Sequence, residues 1–434
     1  MTEHIIYFFY LILFLYSTIG YGHLFSKIIY KDFIKLNIGY QGLFGFFFLS
    51  IISIISSFFI PHNHYFNSVL HYIGLLGFYI LVFKLKRLDE LKKFSLLFLV
   101  LLLGAYVFKN HDDFPYYHLT YSLYLTENNF IVGTGNFSHG FRTFSSLFYY
   151  HSILFMPKIN YFLFHIGPFY ILLFVNYIFL SEIILSQKKI KVNLVYFFSL
   201  LALIFINVVF YRIGEHGTDR SAQIILLLIF VIFIQLIYFQ NLTKNNDSEI
   251  VLILVLIFFA SSMKVIYYLY LILIPLILFK NNFLKDNFLK NNIYVILFLS
   301  LSIFLNLTIN YLNTGCFLYP AVKTCLFTQE WSLPLKEVER MALHYEWWSK
   351  AGGGPGYSSE VSPEIYVQNF NWFNDWIDRH FFNKVSDTLL GIIFICLISY
   401  FSLIYCVKKN KKSTKIKIIQ SYTLYLFYSC LNGF

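Results

Sequence analysis

Residues 251–279 read VLILVLIFFASSMKVIYYLYLILIPLILF, an almost unbroken apolar run that predicts membrane-spanning helices. An apolar run of about 20 residues is long enough to cross a bilayer as a helix. This run is too long for one upright helix, and it carries Ser261, Ser262 and Lys264 near its middle. We therefore predict two short spans joined by a tight bend.

The composition of the whole chain agrees with burial in a membrane. Of the 434 residues, 58% are apolar, 22% are aromatic and only 13% are charged. An ordinary globular domain is about 45 to 50% apolar and about 25% charged. These values exclude a soluble domain, a disordered chain, a collagen and a coiled coil.

Apolar runs of spanning length also occur on both sides of the doubled segment. They cover residues 5–24, 41–60, 65–84, 94–109, 160–185, 193–211, 221–240, 291–311 and 386–407, and a shorter run covers 418–434. With the doubled segment, the chain has eleven predicted crossings, and residues 418–434 predict part of a twelfth. The expected fold class is all-α: a polytopic integral membrane protein of about 11–12 transmembrane helices, with interfacial helices in its outer loops.

This reading divides the chain into four regions. They are the N-terminal transmembrane helices at 1–109, a core membrane region with catalytic-type outer loops at 110–311, an outer loop segment at 312–385, and a C-terminal region at 386–434. The last region holds a transmembrane helix, a basic cytoplasmic loop and the final partial span.

The lysines predict the orientation, because positively charged loops stay on the cytoplasmic side. Alternate loops are basic, and they include residues 27–35, 84–93, 188–191, 244, 280–290 and 408–417. Eleven crossings then place the N-terminus outside, and we expect a multi-pass protein of a cytoplasmic membrane. The net charge of +11 is accordingly a topology signal, reinforced by anionic lipid, and does not indicate nucleic-acid binding.

The first large outer loop, 110–159, begins with two adjacent carboxylates, Asp112 and Asp113. Adjacent carboxylates repel each other, which raises one pKa or favours a bound cation such as Mg or Mn. The alternative is that one of them caps the helix expected from Pro115. Further along, Gly133 and Gly135 form a turn whose N–H groups, together with Arg142, could hold an anion.

The second outer loop, 212–220, is short and dense in charge. Arg212 and Arg220 are typical of anchors at span ends, whereas Glu215 is poorly explained in that way. Asp219 either caps the helix expected from Ser221 or belongs to a site.

Lys264 should point to the same outer side as that loop. A lysine in an apolar hairpin needs a partner, which a substrate phosphate or a carboxylate from these loops would supply.

The third outer segment, 312–385, contains all five tryptophans of the chain. Aromatic rings beside carboxylates and amides are typical both of sugar-binding surfaces and of interfacial belts, and the pattern leaves both readings open. Cys316 and Cys325 lie nine positions apart in a compartment that permits disulfides, so a bridge between them is one outcome.

Several of these residues resemble a signature in a family of poorly characterised bacterial polytopic membrane proteins, which in turn resembles the GT-C superfamily of membrane glycosyltransferases. The residues are Asp113, Tyr117, His118, Gly133, Gly135, Asn136, Ser145, Ser146, Thr218, Asp219, Met263, Lys264, and Gly315 through Tyr319 and Pro320 to Trp331. The resemblance covers roughly residues 100–350. It implies enzymes that take sugars from polyprenyl-phosphate carriers on the outer side, with an essential carboxylate pair that here would be Asp112 and Asp113.

The expected function is therefore transfer of a sugar from a polyprenyl-phosphate carrier to a cell-envelope glycan. Asp113 would act as general base, directly or through a divalent metal held with Asp112, while cations neutralise the leaving phosphate. The catalytic candidates are Asp113, Asp112, Glu215 and Asp219. The substrate-binding candidates are His118, Asn136, His139, Arg142, Arg212, Arg220, Lys264 and Tyr319. The partners expected are the lipid-linked donor, the envelope acceptor and membrane lipid.

Two other functions fit the same architecture. One is a polymerase or ligase of O-antigen or another polysaccharide, which also joins many spans to a large outer loop. The other is a transporter of lipid-linked glycans, which is opposed by the position of the ionisable residues in outer loops instead of the middle of the membrane.

Overall fold

The structure is a computed structural model, and it describes residues 2–30, 32–106, 113–188, 194–210, 217–239, 247–280, 288–354 and 357–409. These residues are mostly helical, and the long helices pack around one apolar core. The chain is a polytopic membrane protein of the all-α class, as predicted.

Four long helices come first. They are α1 (Thr2–Ile29), α2 (Ile38–Ser57), α3 (His64–Tyr79) and α4 (Leu88–Tyr106). Asparagines cap two of them: the Asn37 side chain accepts from Tyr40 N at 3.1 Å, and Asn63 does the same for the start of α3. α1 and α3 approach closely at two glycines, since neither carries a side chain. A Cβ on Gly20 would lie only 1.8 Å from the Gly74 carbonyl oxygen.

The middle of the chain continues with shorter and longer helices. They are α5 (Leu119–Glu127), α6 (Ser146–Ser152), α7 (Ile166–Lys188), α8 (Leu194–Val209), α9 (Gly217–Phe239), α10 (Asp247–Met263), α11 (Leu273–Lys280), α12 (Phe288–Asn291) and α13 (Ile293–Thr314). α7 begins six residues after the predicted start of its span, because the chain turns at Asn160, where φ is +46°.

The last outer segment is irregular before the chain returns to a long helix. It contains α14 (Leu335–Ser349), a hairpin of β1 (Gly353–Gly354) and β2 (Tyr357–Ser358), α15 (Pro363–Tyr366) and α16 (Phe373–Trp376). The two strands pair antiparallel. The final described helix is α17 (Ser386–Lys409).

Six helices within the described residues are long and apolar enough to cross a membrane. These spans are Glu3–Ile29, Ile38–Ser57, His64–Lys84, Ile166–Leu185, Gly217–Leu236 and Ile293–Thr314. Shorter apolar helices lie at Val195–Val209, Val265–Ile277 and Leu389–Phe401. Each falls on a predicted span, while the expected last run at 418–434 lies outside the described residues.

The predicted break in residues 251–279 is confirmed. α10 ends at Met263, Lys264 is extended (φ −159°, ψ 140°), and a 3-10 helix then runs from Val265 to Ile272 before α11. The Ser261 hydroxyl donates to the Tyr267 carbonyl at 3.1 Å across the break. The polar residues in the middle of the run thus mark the place where the helix ends.

The described loops form two groups at opposite ends of the bundle, as their charge predicted. At one end, Ile38 N donates to Glu90 at 2.8 Å and Ser248 donates to Asp32 at 3.2 Å. At the far end of the 20-residue helix α2, the Ser57 carbonyl accepts from Phe130 N at 2.8 Å. Which end faces the cytoplasm stays a prediction.

Candidate functional site

A polar cavity of about 300 Å³ lies at the end of the bundle where α9 begins. Its lining comes from the turn before α5 and from the first turns of α9. The lining residues are Asp113, Tyr117, His118, Thr218, Asp219, Arg220 and Gln223. Two loops that are about a hundred residues apart in sequence therefore share one site.

Asp113 immediately precedes a π-helical turn that runs from Phe114 to His118. Its carboxylate makes no capping hydrogen bond to that turn. Instead, the Tyr117 hydroxyl donates to Asp113 Oδ2 at 3.3 Å. Burial raises the pKa of Tyr117, and the charges of Asp113 and Asp219 raise it further, so the hydroxyl keeps its proton and remains a donor.

Asp219 lies in the first turn of α9, because that helix begins at Gly217 and not at the predicted Ser221. Of the two roles predicted for Asp219, capping of a helix that begins at Ser221 is therefore wrong. A carboxylate in a first turn is favoured by the helix dipole. Gly217 has φ +47°, and a Cβ there would lie 2.6 Å from His118 Cε1, so the start of α9 packs directly on the His118 ring.

Lys264 joins the break in the hairpin to this cavity. Its Nζ donates to both carboxylate oxygens of Asp219, each at 2.8 Å. The Tyr267 hydroxyl donates to the Asp219 carbonyl at 3.1 Å, and the Arg220 guanidinium lies 4.9 Å from the centroid of the Phe210 ring. The expectation that Lys264 has a carboxylate partner on this side is confirmed.

Arg142 lies in a different environment. Its Nε donates to the Gly135 carbonyl at 2.8 Å and its Nη1 donates to Glu337 Oε1 at 2.7 Å. This hydrogen bond lowers the pKa of Glu337 below its usual value. Arg142 thus ties the first outer loop to α14, and the proposed anion contact stays a prediction that would require displacement of Glu337.

The turn around Gly135 makes several contacts within the protein. The Asn136 amide donates to the Trp331 carbonyl at 2.6 Å, and the Thr134 hydroxyl donates to Asn313 Oδ1 at 2.7 Å. A Cβ on Gly135 would lie 2.4 Å from the Asn313 carbonyl oxygen. The turn is therefore packed against the C-terminal end of α13, which also explains why glycine occurs there.

Two other substrate-binding candidates also pack against the third outer segment. His139 Nε2 lies 3.2 Å from the Tyr345 hydroxyl, and burial lowers the pKa of His139. Tyr319 is buried beside Leu333, next to the disulfide that joins Cys316 and Cys325. The bridge that the spacing allowed is present, and a role in substrate binding for His139 and Tyr319 stays a prediction.

Asp112, Arg212 and Glu215 lie outside the described residues. Within the part of the chain that the structure describes, no group of three or more His, Cys, Asp or Glu side chains could hold a metal ion. Asp113 and Asp219 do share the cavity, but both oxygens of Asp219 accept from Lys264. This pair does not fit a divalent cation unless Lys264 moves away.

Three residues that line the cavity are not among the catalytic or substrate-binding candidates predicted from the sequence: Tyr117, Thr218 and Gln223. Gln223 lies one helical turn after Asp219, so it shares a helix face with that carboxylate. The four-residue error in the start of α9 hid this relation.

The fold and the cavity define the class: a polytopic α-helical membrane protein with a charged cavity at one end of its bundle. Within that class, the chain belongs to the family described as a domain of unknown function (DUF8201), which matches residues 5–432. No curated protein and no solved structure matches the chain.

Proposed function

We propose that this protein is a GT-C-like membrane glycosyltransferase, which transfers a sugar from a polyprenyl-phosphate carrier to a cell-envelope glycan. We place the reaction on the outer face of the bacterial cytoplasmic membrane, because the lysine pattern predicts that the cavity faces that side. The observation that supports the proposal is the meeting of Asp113, Asp219 and Arg220 around one cavity, with Lys264 bonded to Asp219. A carboxylate base beside two cations is the arrangement that glycosyl transfer from a phosphate donor requires.

Asp113 has the position of a general base. Its carboxylate lines the cavity and accepts a hydrogen bond from the Tyr117 hydroxyl, which helps to orient it. In the proposed step, an acceptor hydroxyl gives its proton to Asp113 as its oxygen forms a bond to the anomeric carbon. The bond from that carbon to the phosphate oxygen breaks, and the electron pair leaves with the phosphate.

Arg220 and Lys264 would stabilise the negative charge that develops on the leaving phosphate. Arg220 lines the cavity, and Lys264 reaches it through Asp219. Positive groups that are already positioned where charge develops contribute strongly to rate, because they do not have to reorganise during the reaction. Asp219 would hold Lys264 in place, and on substrate binding Lys264 would exchange this carboxylate for the phosphate.

The test is an Asp113→Asn variant expressed at the normal level in the source cell. Mass spectrometry of envelope glycans should show loss of one sugar, and purified membranes should lose transfer from a polyprenyl-phosphate sugar. Glu330→Gln is the matched control, because Glu330 is an exposed carboxylate in the third outer segment.

Unchanged glycans and unchanged transfer in Asp113→Asn would overturn the proposal. A change of polysaccharide chain length without loss of a sugar would indicate a polymerase or ligase instead. A transporter would be indicated if the unmodified protein showed no transfer activity but moved lipid-linked glycan across proteoliposome membranes, and if Asp113→Asn lost that flux.

A further inference from the structure

A second cavity, of about 680 Å³, lies at the other end of the bundle. α9 contributes to both cavities, with Asp219 in the first and Gln235 in the second. At 1.5 Å per residue, these positions are roughly 24 Å apart along the helix axis. The second cavity is therefore separate from the proposed active site.

Along α4, α9 and α10, the lining of this cavity changes from polar side chains near the helix end to apolar side chains further in, whereas on α7 the polar Ser181 and Glu182 lie further from the helix end than Ile184 and Leu185. Polar side chains come from residues near the helix ends, namely Tyr30, Lys35, Asn37, Tyr40, Lys93, Gln235 and Glu249. Apolar side chains come from positions further along the same helices, namely Leu96, Leu97, Val100, Ile232 and Leu252. A polar end that leads into an apolar groove matches the shape of a phospholipid with its headgroup at the membrane surface.

The apolar part of the groove is open to the side. Leu96 and Val100 on α4 are 65% and 63% exposed, and Ile184 and Leu185 on α7 are about half exposed. These side chains lie on predicted spans, so their exposed faces meet lipid tails and not water. An acyl chain can therefore enter the groove directly from the bilayer.

The charged groups at the polar end have two signs. Glu249 Oε2 is buried and accepts no hydrogen bond from the described residues, and Glu182 adds a second carboxylate to the lining. A buried oxygen of this kind is unfavourable unless a donor satisfies it. Lys93 is exposed at the opening, and Lys35 lies there with its Nζ 3.1 Å from Asp32.

We propose that this cavity is a binding site for an aminophospholipid such as phosphatidylethanolamine. The ammonium group donates to Glu249 and Glu182, the phosphate is held by Lys93 and Lys35, and an acyl chain follows the groove beside Val100. The charge pattern selects this class, because an anionic lipid would place no cation on the two glutamates. The inference does not depend on the proposed transferase activity.

The test uses native mass spectrometry on the purified full chain in detergent. Phosphatidylethanolamine, phosphatidylcholine and phosphatidylglycerol with identical acyl chains are added in equal amounts. Phosphatidylcholine carries the same phosphate and chains but has no N–H to donate. We expect the unmodified protein to retain phosphatidylethanolamine about tenfold better than either of the others, as one charge-assisted hydrogen bond would give.

Two pairs of variants connect this preference to the cavity. Glu249→Gln should reduce retention of phosphatidylethanolamine about tenfold, to the level of phosphatidylcholine, whereas Glu127→Gln, at an exposed carboxylate elsewhere, should not. Lys93→Met should reduce the retention of phosphatidylethanolamine and of phosphatidylcholine by the same factor, because it removes a contact with the phosphate group that both lipids carry. Lys92→Met is its matched control, since Lys92 pairs with Asp89 at 3.6 Å and does not line the cavity.

Equal retention of the three lipids, a preference for phosphatidylglycerol, or an unchanged Glu249→Gln variant would each overturn the proposal. If Glu249→Gln does not fold, Lys93→Met decides the matter, and unchanged lipid retention in that variant overturns it as well. Soluble phosphoethanolamine at the same concentration should not displace the lipid, because it lacks the acyl chain. Displacement by it would contradict the acyl-chain groove.

Discussion

Two ion pairs at the same end of the bundle look alike but differ in their surroundings. Lys264 and Asp219 lie 2.8 Å apart, and Arg142 and Glu337 lie 2.7 Å apart. The side chains of the first pair are 37% and 46% exposed, while those of the second are 11% and 30% exposed. The first pair borders an open cavity, and the second is enclosed between the first outer loop and α14.

This difference in solvent exposure indicates different roles for the two ion pairs. An ion pair that solvent reaches adds little to stability, typically about 0 to 1 kcal/mol, so its charges remain available to a ligand. A pair that is mostly enclosed cannot lose one partner without leaving a charge poorly solvated. We therefore expect the Lys264–Asp219 pair to serve binding or catalysis and the Arg142–Glu337 pair to hold the outer segments together.

The largest effect should follow from Lys264→Met. If the proposed function is right, loss of this cation lowers the rate of sugar transfer about 100- to 1,000-fold, as removal of a positioned charge-stabilising group does elsewhere. The melting temperature in detergent should change little, because the pair is half exposed. Transfer assays and thermal melts on the same preparation measure the two effects.

Lys336→Met is the control for that variant, since Lys336 is an exposed lysine of α14 that does not line the cavity. It should retain both activity and stability. A Lys264→Met protein that loses stability but keeps full activity would reverse the comparison between the two pairs.

Glu337→Gln should have the opposite profile. It leaves Arg142 and the neighbouring Arg340, whose Nη2 lies 3.1 Å from Glu337, without their shared carboxylate. Loss of a charged hydrogen bond in this setting is expected to destabilise the fold by roughly 1.5–3 kcal/mol. Thermal melts should show the loss, while activity at low temperature stays close to that of the unmodified protein.

Arg340→Gln provides the matched control, because Arg340 bonds to the same carboxylate but its side chain is 71% exposed. Its removal should change stability by less than about 1 kcal/mol. Equal losses in the two variants would show that enclosure of Arg142 does not matter.

Gly217→Ala tests the packing between α9 and the cavity. An alanine at φ +47° is expected to lose about 1–2 kcal/mol from the backbone conformation alone, and its methyl group would displace the His118 ring. Both melting temperature and activity should therefore fall. Gly354→Ala, where a Cβ meets nothing within 4 Å, should be neutral by both measurements, and a similar loss there would show that the effect is not specific to the cavity.

The sequence predicted the helices well, because spanning length and hydropathy are local properties. It also located the break at Lys264, since a lysine between two apolar runs marks a helix end near water. It could not tell which charged loop residues would bond to each other. The contacts from Arg142 to Glu337 and from Asn136 to Trp331 each join residues 195 positions apart, and nothing in a local pattern reports them.

Only some of the residues at the cavity could be predicted from the sequence. Asp113, Asp219 and Lys264 stood out because an acid or lysine beside a span needs an explanation. Gln223 did not, since it lies inside an apolar helix whose first residue was misplaced. Neutral polar residues in a span become informative only once the helix face that they share with a charge is known.

The smallest expected effect is a pH dependence of stability, which should distinguish the enclosed Arg142–Glu337 pair from an exposed carboxylate. The hydrogen bond from Arg142 lowers the pKa of Glu337 in the folded state. In the unfolded state, the pKa of this carboxyl group stays near its usual value of about 4.3. The pair therefore stabilises the fold fully above that value and loses its contribution as the pH falls towards the lower folded-state pKa. Melting curves between neutral and acidic pH should show the gap between the unmodified protein and Glu337→Gln closing below about pH 4. Glu330→Gln should melt with the unmodified protein at every pH, and a gap for Glu337→Gln that persists through the acid range would mean that this carboxylate acts by packing and not by charge.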